Sequence, residues 1–300
     1  MILVTGGTGF VGQALIRHLV YMGKPLRILL RPSPNSPNIP RGVAVEVAVC
    51  GLKDERGLRA ALKGVDVVFH LAGSERAGSH ADLTGVDVEG TEVISRVCAE
   101  AGVRRFFYLS HIGADRSSAY PVLKAKAIAE HQVIDSGVNY TIFRSAPIFG
   151  ANDQFTVPLV LLMKRLPFIF LMPGKGDSLL QPIWVEDVIA SLALALDNPE
   201  TGNQLFTIGG GEYLSYKNIL RTLMEAGGLR RKLVAVNPAY LRGITLVMEQ
   251  FFPKLTMPFY WLDYLATDRT CPLDTLPRMF GLMPARFGQK LDYIQQILST

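Results

Sequence analysis

Residues 2–20, ILVTGGTGFVGQALIRHLV, decide the fold. Ile2, Leu3 and Val4 form a short apolar run. Thr5, Gly6, Gly7, Thr8, Gly9, Phe10, Val11 and Gly12 follow at once, and apolar residues then recur at helical spacing through Val20. This reads as strand, tight glycine turn, helix. Four glycines in seven residues are more than a plain strand–helix corner needs. Glycine lets the backbone approach a pyrophosphate closely, while the helix N-terminus presents free N–H groups and a partial positive charge. Gly12 is expected to let the helix pack against the strand. The stretch therefore predicts a nucleotide-binding turn.

The bulk numbers agree with a folded α/β protein. The 300 residues are 49% hydrophobic and 19% charged, which gives a core rather than disorder. Cys50, Cys98 and Cys271 show no paired spacing, so a reducing, cytoplasmic setting is expected. The first strand starts at residue 2, leaving no room for a signal peptide ahead of it, and no run of about 20 apolar residues predicts a membrane span. The net charge of +5 is scattered apart from short basic runs such as 230–232. It suits a solvated surface, an anionic cofactor or an anionic membrane surface. No motif points to nucleic acid. The five histidines lack ligand spacing, so no metal is expected.

Further strands are read at 25–30, 43–49, 65–70, 106–110 and 140–144, with helices at 55–63 and 88–101. Alternating strands and helices predict a doubly wound parallel sheet, with its ligand crevice at the C-terminal strand ends. Gly6, Arg31, His70, Ser110 and Pro147 all fall at such ends. An acidic residue after the second strand would accept a hydrogen bond from a ribose hydroxyl, whereas arginine accommodates a 2′-phosphate. Arg31 with Ser33 thus favours NADP(H) over NAD(H). Leu71, Ala72 and Gly73 form a small-residue turn able to sit under the cofactor. Domain organisation is read as a dinucleotide-binding domain over 1–150 and a smaller second α/β domain over 151–300, with the strand at 204–208 a candidate to return to the first.

The stretches VTGGTGFVG (4–12), GVDVVFHLAG (64–73), AGVRRFFYLS (101–110), AKAIAE (125–130), FRSAPIFG (143–150) and QPIWVEDV (181–188) occur in a telling order and spacing. In these the chain resembles the atypical and extended short-chain dehydrogenases/reductases. It is most similar to the group of the 39 kDa accessory subunit of respiratory complex I. The resemblance implies a Rossmann fold, bound dinucleotide, and cofactor contacts from the glycine turn, Ser110, Lys126, Pro147 and Ile148.

Catalysis in that superfamily uses a serine, a tyrosine, and a lysine four residues after the tyrosine. The spacing puts tyrosine and lysine on one helix face, where the cation favours phenolate. Two registers compete here. Tyr120 and Lys124, with Ser110, satisfy the spacing literally, provided the helix starts at Pro121. Lys126 instead fits the AKAIAE stretch, and Ser110 then lies 12 residues before Val122, as the resemblance leads one to expect. In that register Val122 occupies the tyrosine position, so Lys126 keeps its ribose role while the proton donor is gone. Two more departures are Cys50-Gly51, where the group usually carries Gly-Asp, and Asp87, where it carries asparagine. His111, beside Ser110, is the one histidine placed to act as a substitute acid.

The second half contributes an apolar stretch at 158–172 broken by Pro167, and helices at 187–196 and from Ser215 to 226. Residues 240–265 are rich in large apolar side chains with Arg242 and Lys254 nearby. They suit either a domain core or a surface that docks on a membrane or a membrane protein complex. Three functions follow. One is an NADP(H)-binding protein with little or no catalysis, acting as an accessory or assembly subunit of a membrane redox complex, cytoplasmic or peripheral on the membrane. Another is an active NADPH-dependent reductase or epimerase using Ser110, Tyr120 and Lys124. The last is an NADPH-responsive redox sensor.

Overall fold

The computed structural model describes all residues except 35, 38, 41, 252–259 and 300. Strands β1 (Ile2–Thr5), β2 (Leu26–Leu30), β3 (Glu46–Val49), β4 (Val67–His70), β5 (Arg105–His111) and β6 (Tyr140–Ser145) alternate with helices α1 (Phe10–Tyr21), α2 (Glu55–Ala61), α3 (Glu89–Glu100) and α4 (Pro121–Asp135). The chain continues through β7 (Ile148–Phe149), α5 (Thr156–Arg165), β8 (Ile169–Pro173), β9 (Leu179–Leu180), β10 (Ile183–Trp184) and α6 (Val185–Asp197). Then come β11 (Gln204–Ile208), β12 (Leu214–Ser215), α7 (Tyr216–Ala226), β13 (Lys232–Val236), α8 (Pro238–Phe251), α9 (Tyr260–Tyr264), α10 (Thr275–Phe280) and α11 (Tyr293–Ser299).

The central sheet has seven strands in the order β11-β6-β5-β4-β1-β2-β3. β1 pairs in parallel with both β2 and β4, and β2–β3 and β4–β5 are parallel too. The central strands of such a sheet are covered on both faces and so read as apolar runs. β1 and β4 are buried at every residue. Leu3, Val68, Ile94, Val97, Cys98, Phe106 and Ile142 belong to one buried cluster, which places Cys98 in the core. Burial pushes its thiol far above the ordinary range.

Two compact units result. One comprises residues 1–74, 82–144 and 188–206; the other 75–81, 145–187 and 207–300. The first unit thus extends beyond residue 150: most of α6 belongs to it, as does most of β11, the strand at 204–208 that was a candidate to return. Element limits also shift. The third strand begins at Glu46 rather than residue 43, and the helix expected from 88 follows a π-helical turn over Leu83–Val88.

In the second unit the stretch at 158–172 is a helix and a strand, α5 and β8, separated at Pro167. The Asp153 carboxylate accepts hydrogen bonds from the N–H groups of Gly150, Phe155, Thr156 and Val157. This satisfies donors that the start of α5 would otherwise leave bare. Ser215 caps α7 by accepting from Asn218 N–H.

The 240–265 stretch is divided between core and surface. Leu241, Trp261, Tyr264 and Leu265 are buried, whereas Tyr240, Ile244, Leu246 and Val247 of α8 are exposed. Phe252, Lys254, Leu255, Met257 and Phe259 lie outside the described residues, as do the side chains of Met248, Phe251 and Tyr260. No helix among the described residues is long and apolar enough to cross a membrane.

Candidate functional site

The glycine turn joins β1 to α1 and is built by close approach. Gly6 has φ +71°, and a Cβ there would stand 2.5 Å from the Leu71 carbonyl carbon and oxygen. The turn therefore rests on the backbone of the segment after β4, against Leu71 and Ala72. Gly9 N–H closes it by donating to the Gly6 carbonyl at 2.9 Å. A Cβ on Gly7 would meet Ile28 of β2 and Ile16 of α1, so Gly7 is the glycine that lets helix and sheet close. A Cβ on Gly12 would instead strike the Gly6 carbonyl and the Gly7 Cα. That corrects the role expected of Gly12: it seats the helix on the turn rather than on the strand. Gly9 is the N-cap of α1, and no side chain caps it. The first-turn N–H groups with their dipole thus face a cradle that added carbon would fill.

Arg31 and Ser33 follow the end of β2 and are exposed. Leu71, Ala72 and Gly73 follow β4 and are half-buried. Pro147 and Ile148 belong to the second unit, Ile148 in β7.

The two lysines differ sharply. α4 begins at Pro121, and Tyr120 is its N-cap, with extended backbone at φ −93°, ψ 117°. Tyr120 therefore stands outside the regular helix that the four-residue spacing presupposes. Lys124 is exposed. Lys126 is buried, its Nζ 3.1 Å from Asp87 Oδ1 and 5.7 Å from the centre of the Tyr108 ring. The other Asp87 oxygen accepts from the Ser74 N–H at 3.0 Å and the Ser74 hydroxyl at 2.5 Å. Asp87, read from sequence as a departure, is thus the counter-charge of the buried lysine. Val122, four residues before Lys126, is half-buried on the same helix.

Ser110 lies near the end of β5, 1% exposed, and its hydroxyl has no hydrogen-bond partner among the described residues. A buried, unsatisfied hydroxyl costs free energy unless something else completes it. His111, beside it, is half-buried.

His70 was missed as a structural centre. Its Nδ1 lies 2.7 Å from the Thr5 hydroxyl and its Nε2 3.0 Å from the Thr91 hydroxyl. The ring stacks on Tyr108 at 5.8 Å. Burial, and secondarily the Lys126 charge, holds its pKa down at about 3, so the ring is neutral. It ties the strand before the glycine turn to α3. A histidine ending a strand immediately before a small-residue turn is the only sequence signal for this role.

A family model described as NAD(P)H-binding matches residues 6–162. The chain belongs to the NAD(P)H-binding family. It is 31% identical to sterol demethylase protein B of Methylococcus capsulatus over 94% of this chain and 93% of that one. It is 30% identical, over 74% of its length, to the mitochondrial NADH dehydrogenase [ubiquinone] 1 alpha subcomplex subunit 9 of Arabidopsis thaliana, of which it covers 56%. UDP-glucose 4-epimerase of Thermotoga maritima shares the fold, with a TM-score of 0.74 at 20% identity over 99% of this chain and 98% of that one. The resemblance to atypical short-chain dehydrogenases holds, and with it the doubly wound fold.

Proposed function

We propose that this NAD(P)H-binding protein holds NADP(H) as a resident cofactor, with little or no turnover, and serves as an accessory or assembly subunit of a membrane redox complex. The observation that carries the reading is the buried Lys126–Asp87 pair. It favours the register in which the position four residues before the lysine is Val122, a side chain that can neither give nor take a proton. The cradle of Gly6, Gly7, Gly9 and Gly12 would hold the pyrophosphate. Lys126 and the open Ser110 hydroxyl would meet the nicotinamide ribose end, and Arg31 a 2′-phosphate. The cofactor itself would supply hydride chemistry, but this chain offers no tyrosine in that register to use it.

The complex I subunit relative and the exposed α8 residues Tyr240, Ile244, Leu246 and Val247 support a membrane-associated partner and a peripheral, cytoplasmic-side location. The test is turnover: purified protein with NADPH is offered carbonyl and quinone acceptors. The reading expects no oxidation beyond background, and consumption at ordinary enzyme rates contradicts it.

The unpartnered Ser110 hydroxyl favours a second reading, an active reductase or epimerase in which Tyr120 supplies the proton. Tyr120→Phe would then abolish turnover, and unchanged turnover rejects that role.

A further inference from the structure

In the second unit, residues 164–169 (KRLPFI) are exposed without interruption. Phe168 is 80% exposed and Ile169 48%, in a loop and strand start stiffened by Pro167. Large apolar side chains rarely stand in water together unless something covers them. The basic run at 230–232 lies against this segment. Lys232 pairs in register with Ile169, and its N–H donates to the Phe168 carbonyl at 2.9 Å. Arg231 Nε donates to the Met163 carbonyl at 2.8 Å, at the end of α5. Arg221, Arg230, Arg231 and Lys232 line an open concavity of about 520 Å³ together with Met224, Leu229 and a single acid, Glu225. Lys164 and Arg165, exposed in the last turn of α5, directly precede the apolar segment.

We propose that this face docks on an anionic phospholipid bilayer. Phe168, Leu166 and Ile169 would enter the interfacial region, with the cations at headgroup level. A free anion would use the arginines but leave the apolar side chains in water. A neutral bilayer would take the apolar side chains but offer no negative charge to Arg221, Arg230, Arg231 and Lys232, which outnumber the single acid Glu225. A surface combining both satisfies both, because long basic side chains keep their charge at the interface while their stems cover apolar ground. This surface uses none of the residues of the 240–265 stretch and does not depend on the nucleotide.

The test is flotation of the full chain with phosphatidylcholine vesicles, with and without phosphatidylglycerol, at low and high salt. Binding is expected only with the anionic lipid, and it weakens with salt. Each cation near the surface is worth about fivefold in partitioning, so Arg230→Glu/Lys232→Glu should lose about 25-fold or more. Phe168→Ser should lose about tenfold. Arg17→Glu/Lys63→Glu changes net charge equally at exposed positions of the other unit and should lose far less. Melting temperature and NADPH affinity, measured on every variant, separate lost docking from lost folding and from failure of the nucleotide reading. The proposal is overturned by absent binding, by equal binding to neutral vesicles, by equal loss in the control pair, or by unchanged binding in folded Phe168→Ser. Self-association through this face without vesicle binding overturns it too.

Discussion

Lys126 and Asp87 form a buried ion pair, 3.1 Å apart, between α4 and the π-helical turn that leads into α3. Two charges taken out of water are stable only while each answers the other. Asp87 also accepts two bonds from Ser74, and the lysine lies over the Tyr108 ring.

Asp87→Ala should therefore destabilise the fold by about 3 kcal/mol, since it removes the carboxylate that answers a buried ammonium. Lys126→Met should cost less, because Ser74 still serves the carboxylate. Asp87→Leu combined with Lys126→Met should recover most of the loss. Urea unfolding of the variants checks this, and simple addition of the single losses would contradict it.

His70 makes stability depend on pH. Its pKa lies near 3 in the folded chain and near 6.5 when unfolded, so between those values the unfolded state holds one more proton. The contribution of neutral His70 is present above about pH 6.5 and is lost as pH falls, at up to about 1.4 kcal/mol per pH unit. Replacement by glutamine should flatten this slope in urea midpoints measured from neutral to mildly acidic pH. An unchanged slope would place the titration elsewhere.

Gly6→Ala adds a Cβ at a left-handed backbone, where a non-glycine residue costs about 1–2 kcal/mol, and drives it into the Leu71 carbonyl. NADPH affinity by calorimetry should fall at least about tenfold, since 1.4 kcal/mol is a factor of ten. Wild-type affinity would show that the turn is not the nucleotide cradle.

Arg31→Ala should weaken NADPH binding about tenfold or more, the value of a charged hydrogen bond, while leaving NADH binding unchanged. Equal loss for both nucleotides would remove Arg31 as the selector.

Much of this was legible locally. The strand, glycine turn and helix of 2–20 follow from spacing and backbone freedom, and the alternating elements lead to the sheet. For the two lysines the sequence left both registers open, AKAIAE favouring Lys126 only through the resemblance; the burial of Lys126 and the exposure of Lys124 are seen in the structure. What sequence hid was long-range. Asp87 looked like an eroded asparagine because its partner is 39 residues away. His70 looked like a strand end because Thr5 and Thr91 reach it from opposite sides in sequence. The return of the strand at 204–208 was legible, but that of α6 was hidden because the helix carries no local sign of the unit it packs into. Periodicity records that a face is buried, not which face it meets.

The most direct test of the account compares NADPH affinity in Lys126→Met and Lys124→Met, with folding confirmed by melting temperature. The account predicts a loss of about tenfold or more for Lys126→Met, as expected for a charged hydrogen bond, and no change for Lys124→Met. Loss at Lys124 with wild-type affinity at Lys126 would contradict it, and would return Tyr120 and Lys124 to the centre of an active site.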